Sequence, residues 1–256
     1  MKPTFIRLDT CSSTNSELAA IADSMPAGTV VSCREQSAGR GQRGNSWEAE
    51  PGRNLTFSIL LRPQLIDASR QFELSMIVSL AIVRSLDSIL AQSGCKERCT
   101  VKWPNDIYIG DRKVCGILIE NALSGLSIDR SIAGIGINVN QLVFRSDAPN
   151  PVSLIHLTGI EISVGEMLET VAESIMEDLA AYESAPCPAG LSKSYRSRLW
   201  RGDGLPHPFT DAATGSRFDA VISDVAADGV ITLRPTDGSP ERRFFFKEVI
   251  FNISDL

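Results

Sequence analysis

Lys102, Asn105 and Asp106 lie within five positions of one another in the run VKWPNDIYIGDRKVCGILIE. A lysine, an amide and a carboxylate at that spacing offer a phosphate partner, an orienting group and a ligand for a hard cation. Such a set suits nucleotide chemistry. Pro104 stiffens the turn that presents them. Lys113 follows Asp106 by seven residues across a Gly110-Asp111 turn, so a hairpin would return it alongside that carboxylate. Judged on position alone, it is equally an exposed strand lysine. A second cluster, Gly39-Arg40-Gly41-Gln42-Arg43-Gly44, fits G-x-G-x-x-G. The chain leads from it through Trp47 into another strand pattern, without the helix that a dinucleotide-binding turn requires. Glycines interleaved with Arg40 and Arg43 suit instead a loop closing over an anion, or a solvated basic turn. Asn138, isolated in the apolar GIGINVN, must be hydrogen-bonded in the core or line a polar pocket. Ser12-Ser13-Thr14-Asn15 reads as a helix cap or as a polar set at a pocket edge.

Composition narrows the chemistry further. The 256 residues are 43% hydrophobic and 22% charged, as in an ordinary globular protein. The net charge of −6 speaks against a chain devoted to neutralising nucleic-acid backbones. Only two histidines occur, His156 in SLIHLTG and His207 between prolines. The first is expected to pack and the second to lie in a loop, so histidine-based catalysis is disfavoured. Six scattered cysteines contain no C-x-x-C pair, which fits reduced thiols rather than a zinc site or a disulfide framework. Apolar runs such as MIVSLAIV fall short of the roughly 20 residues of a membrane span, and the N-terminus lacks a secretion signal's apolar core. A cytoplasmic protein is the expectation.

Elements that position these residues are legible in outline. Ser13 stands where a helix N-cap would, with a helix continuing through LAAIADS. Thr29 to Arg34 reads as a strand, EQSAGRGQRGNSW as a loop, and Asn54 to Leu61 as a strand with Leu55, Phe57, Ile59 and Leu61 on one face. Helical spacing of Met76, Leu80, Val83, Leu86 and Leu90 predicts a core helix from about Arg70 to Ala91. A block of strands follows through TVKW, DIYI, VCGILIEN and SIAGIGINVN. Val164, Leu168, Val171, Ile175, Leu179 and Tyr182 predict a second long helix. Beyond Trp200 only short β segments and turns remain, with Gly202-Asp203-Gly204 as the linker. The division expected is a larger domain over 1–203 and a small β domain over 204–256.

Taken together, these motifs resemble the biotin protein ligases. The family's Ser-Thr-Asn is matched by Ser13-Thr14-Asn15, its biotin loop by QSAGRGQRGNSW, and its KWPND by Lys102 to Asp106. Its later lysine is matched by Lys113, and its GINV by Gly136 to Val139. The resemblance implies an α+β fold, a mixed sheet packed with helices (the class II synthetase-like biotin/lipoate ligase domain) followed by a small SH3-like β-barrel. It implies that biotin is activated by ATP as biotinyl-5′-AMP, with Mg²⁺, and passed to a lysine of a biotin carboxyl carrier domain. A homodimer is plausible by the same resemblance. No nucleic-acid or membrane partner is expected, because Ser-Thr-Asn begins within fifteen residues of the start and leaves no room for the helix-turn-helix of the family's repressors.

The resemblance also assigns roles. Lys113 would bridge the biotin carboxylate and the α-phosphate, and Arg40 would support the carboxylate end. Asp106 would hold Mg²⁺ or steer the acceptor amine, while Asn105 orients the nucleotide. Ser13 and Gln36 would meet the biotin ureido group with Thr14 beside them and Asn15 in the same binding set, with Trp47 as a wall and Gly116 giving access to backbone. Gly39, Arg40, Gly41, Gln42 and Arg43 would form the closing loop. Lys102, Trp103 and Asn138 complete the binding set. Gln42 departs from the arginine that many relatives carry there, which implies a weaker hold on the adenylate, since a charged hydrogen bond contributes about 1.5 to 3 kcal/mol.

Overall fold

A computed structural model of the chain describes residues 2–41, 47–146 and 150–253. Seven strands form one sheet in the order β1-β2-β3-β7-β6-β5-β4. They are β1 (Thr4–Cys11), β2 (Thr29–Gln36), β3 (Leu55–Leu61), β4 (Cys99–Lys102), β5 (Asp106–Ile109), β6 (Arg112–Ser124) and β7 (Ser127–Ile137). Strands β1 and β2 pair in parallel, and every other neighbouring pair is antiparallel. The parallel pair needs a crossover, and helix α1 (Thr14–Ile21) supplies it. The helix lies against β2, β3 and β7.

Leu55, Phe57, Ile59 and Leu61 share one face of β3 as expected and all enter the main core, but the opposite face is covered too. All seven strand residues are buried. Leu60 joins Leu18, Ala22, Val31 and Ile132 beneath α1. Thr56 and Ser58, the polar positions of that face, are buried as well, because α1 lies against it. Ser13 does occupy the N-cap position of α1, but its side chain makes no capping bond.

The main core lies on the sheet's other face, under α2 (Phe72–Gln92) and α4 (Val164–Ser184). Met76, Val83, Leu86 and Leu90 are buried as their spacing requires, with Leu80 partly so. By length and composition α2 could cross a bilayer, which the search for apolar runs understated. Here about two-thirds of it is buried in the core.

Two further helices, α3 (Leu154–Thr158) and α5 (Pro188–Arg196), were not expected, being too short for periodicity to declare. His156 is corrected by α3. Its ring is exposed, Nδ1 accepts from the Ser153 amide at 3.2 Å, and Nε2 lies 3.1 Å from the Leu142 carbonyl oxygen. It caps a helix instead of packing.

Strands β8 (His207–Asp211), β9 (Arg217–Val225), β10 (Ile231–Pro235), β11 (Arg242–Phe244) and β12 (Val249–Phe251) form a second, antiparallel sheet in the order β11-β10-β9-β8-β12. His207 therefore opens a strand and does not sit in a loop. Aromatic packing fastens this sheet to the first. Trp103 stacks on Phe251 at 6.1 Å and meets Phe246 edge-on at 6.2 Å. Its indole N–H donates to the Gly229 carbonyl at 3.0 Å.

Candidate active site

A cavity of about 1000 Å³ opens on the α1 face of the seven-stranded sheet and extends to the second sheet. Glycines make its floor. Gly116 of β6 and Gly136 of β7 are opposed. A Cβ at Gly136 would come 2.3 Å from Cε2 of Trp47, and one at Gly116 would come 3.0 Å from its Cζ3. Missing side chains thus let the indole approach the backbone. Gly116, expected to admit ligand to the backbone, lines the cavity with Trp47 and the Lys113 stem close by, the lysine Cε 3.4 Å from where a Cβ would stand. The indole Nε1 is buried and, among the described residues, has no hydrogen-bond partner.

The β5–β6 hairpin brings Lys113 back alongside Asp106. Its Nζ lies 2.7 Å from Asp106 Oδ1 and 5.7 Å from the Trp47 ring centroid. Both charged side chains are only about one-quarter or less exposed, at 26% and 19%, so the pair faces the cavity with limited solvent screening. Lys102 takes a different position. Its ammonium sits 5.6 Å from the Tyr108 ring and 5.2 Å from the Phe251 ring. Burial lowers its pKa, opposed in part by Asp106. Asn105 spends its amide N–H on the Ile117 carbonyl, which anchors the KWPND turn to β6 and leaves its oxygen for a ligand.

A polar chain borders the other end of the cavity. Gln36 Oε1 accepts from the Thr14 amide at 2.8 Å. The Ser58 hydroxyl lies 2.8 Å from that of Thr14 and donates to Asn15 Oδ1 at 2.5 Å. Asn15 Nδ2 donates to Glu120 Oε2 at 2.6 Å, and Arg40 reaches the same oxygen at 3.1 Å. Gly134 is another enforced absence, since a Cβ there would fall 2.1 Å from Asn15 Oδ1.

Most of the residues singled out in the sequence line this one cavity: Ser13, Thr14, Asn15, Gln36, Arg40, Gly41, Trp47, Lys102, Trp103, Asn105, Asp106, Lys113 and Gly116. Two do not. Gly39 sits at the loop's base, where its carbonyl accepts from the Trp47 amide at 3.1 Å. Asn138 is buried behind Lys113, to whose carbonyl its Nδ2 donates at 3.4 Å. Of the alternatives left open for Asn138, core hydrogen bonding is met only in part: its Nδ2 donates to a backbone carbonyl, while its buried Oδ1 has no hydrogen-bond partner among the described residues. Arg40, expected at the carboxylate end, has its guanidinium on Glu120. Gln42 and Arg43 fall outside the described residues.

Sequence reasoning passed over Ser58, Glu120, Tyr108, Phe246 and Phe251. Ser58 and Glu120 did carry a signal, as polar interruptions of NLTFSILL and VCGILIE. The aromatic wall from 246–251 carried none, because it comes from a separate sheet.

Asp106 does not form a cation cage from protein side chains alone; one carboxylate would hold Mg²⁺ only together with nucleotide phosphates. Hard cations take several oxygen donors, and no three His, Cys, Asp or Glu side chains gather among the described residues. The one carboxylate in place is already bonded to Lys113.

Comparison with known proteins agrees with this geometry. The chain is 29% identical to a biotin--[acetyl-CoA-carboxylase] ligase of Paracoccus denitrificans, over 91% of its own length and 97% of the relative's. It is 32% identical to the bifunctional ligase/repressor BirA of Bacillus subtilis over 63% of its length, spanning 47% of that longer protein. A biotin protein ligase of Aquifex aeolicus, solved with biotin and ATP, shares the fold at a TM-score of 0.77 and 24% identity, covering 98% of this chain and 99% of that one. Residues 8–138, which hold nearly all of the site residues outside the second sheet, match the model of the biotin/lipoate A/B protein ligase family, and the chain belongs to that family.

Proposed function

We propose that this chain is an ATP-dependent ligase that activates biotin as biotinyl-5′-AMP and transfers the biotinyl group to a specific lysine of a biotin carboxyl carrier domain. The observation that carries the reading is the Lys113–Asp106 pair at 2.7 Å, set between the Trp47 wall and the KWPND turn inside one cavity. Magnesium enters as part of the MgATP substrate, since the site's own residues do not form a cation centre.

In the first step a biotin carboxylate oxygen attacks the α-phosphorus of ATP and pyrophosphate leaves. Two anions must approach, so catalysis requires positive charge preorganised where they meet. Lys113, drawn into the cavity by Asp106, supplies it. Its ammonium also lies 5.7 Å from the Trp47 ring centroid, within reach of a cation–π contact. The Trp47 indole also gives the apolar body of biotin a surface to pack on and excludes water that would hydrolyse the mixed anhydride. Ser13, Thr14 and Gln36 border the end suited to a neutral ureido group.

In the second step the neutral acceptor amine attacks the acyl carbon. The C–O bond to AMP breaks, AMP leaves as the phosphate monoester, and the amine gives up a proton. Asp106 is placed to orient that amine or take the proton once Lys113 has moved to the phosphate.

Pyrophosphate exchange into ATP tests the reading. Exchange is expected with biotin and not with lipoate or without an acid. Exchange with lipoate alone would make the chain a lipoate ligase. No exchange with either acid would point to a biotin-binding regulator.

A further inference from the structure

We infer that Glu120 is a positioning residue for the biotin end of the site, one carboxylate that sets the Ser-Thr-Asn turn and the start of the Gly-rich loop in fixed relation to each other. The inference rests on the ligase reading above. A single oxygen, Oε2, receives both the Asn15 amide at 2.6 Å and the Arg40 guanidinium at 3.1 Å. The two donors come from different elements, Asn15 from α1 and Arg40 from the segment that follows β2. Asn15 is 3% exposed, whereas the Arg40 and Glu120 side chains are nearly half exposed. Glu120 is thus an anchor between a buried element and a surface one.

Taken alone, the Arg40–Glu120 contact would be an exposed ion pair of little consequence. What changes its weight is the inner half of the bond set. Asn15 is held on its other side as well, because its Oδ1 accepts from Ser58 at 2.5 Å and packs over Gly134 where a Cβ would stand. Through Thr14, the same Ser58 hydroxyl connects to Gln36 at the end of β2. Arg40 is tied through one carboxylate to a frame that also orients Thr14 and Gln36. Gly41 follows Arg40 directly, so Glu120 governs where the Gly-rich segment leaves the sheet. A substrate whose recognition depends on both borders at once then pays little ordering entropy on arrival.

The experiment compares Glu120→Ala and Glu120→Gln with the parent protein. Hydrogen exchange of segments 12–18 and 36–41 is followed without substrates, and KM for biotin and kcat are followed in pyrophosphate exchange. With Glu120→Ala both segments are expected to exchange faster together. KM for biotin should rise about 5- to 10-fold, the range of one net hydrogen bond between partly exposed groups, and more than kcat falls. Glutamine keeps an acceptor for Asn15 but loses the charge that holds Arg40, so only segment 36–41 should loosen and KM should rise less. Unchanged exchange in both segments would overturn the inference, as would loosening with KM for biotin unaltered. If the parent shows no biotin-dependent exchange, the ligase reading fails. The coupling is then decided by hydrogen exchange alone, joint loosening supporting it and its absence refuting it.

Discussion

Lys113→Ala is expected to lower biotin-dependent pyrophosphate exchange by about 10²- to 10³-fold, the range seen when one preorganised electrostatic group is deleted from a transition-state site. The variant should still fold. Lys113 is 26% exposed and its strand partners hold the backbone, so losing its pair with Asp106 should cost about 1 kcal/mol. A thermal melt should shift by no more than a few degrees. Lys113→Arg should recover little activity, because a planar fork cannot reproduce a compact ammonium between Asp106 and the Trp47 ring. A folded Lys113→Ala enzyme with near-parental exchange would remove Lys113 from the chemistry and leave Lys102 and Arg40 as the cations to test.

Trp103→Ala should do its damage through stability. The side chain is 2% exposed, packs on Phe251 and Phe246, and donates to Gly229. Truncating a buried aromatic costs about 3 to 5 kcal/mol, and here the loss falls on the joint between the two sheets. Calorimetry should show a large drop in melting temperature, with the transition splitting as the second sheet releases first. Because 246–251 lines the cavity, KM for ATP should rise well before the first sheet unfolds. Trp103→Phe, which keeps most of the packing but not the N–H, should fall between. A single undisplaced melt for Trp103→Ala would show that the sheets do not depend on this contact.

Tryptophan 103 also marks where the sequence could and could not be read. KWPND was recognisable as a site motif because its polar residues are crowded into five positions. Strand β4, strand β5 and the Gly110 turn follow from ordinary hairpin signals, and the approach of Lys113 to Asp106 follows from them. Nothing local says that Trp103 and Lys102 face another sheet more than a hundred residues onward. The same limit hid the second covered face of β3, which looks one-sided until α1 is laid over it. It also hid α3 and α5, which span 5 and 9 residues, too few turns to show a period. Asn138 shows the reverse case. A polar residue at the end of an apolar strand demanded partners, and its Nδ2 found a backbone carbonyl behind the site while its Oδ1 has none among the described residues.

The glycine floor has a consequence for how this protein can vary. Gly134 and Gly136 carry no charge and donate nothing from a side chain, yet a single methyl at either would occupy the volume of Asn15 or Trp47. What these two positions contribute is vacancy. Hydrophobicity and charge along the chain are therefore silent about them, and a stabilising Gly→Ala exchange of the kind that often helps elsewhere is closed here. The shape of the ligand chamber is inscribed partly as matter withheld, and any attempt to re-tailor it for a different acid has room to work from the Trp47 side but none from the floor.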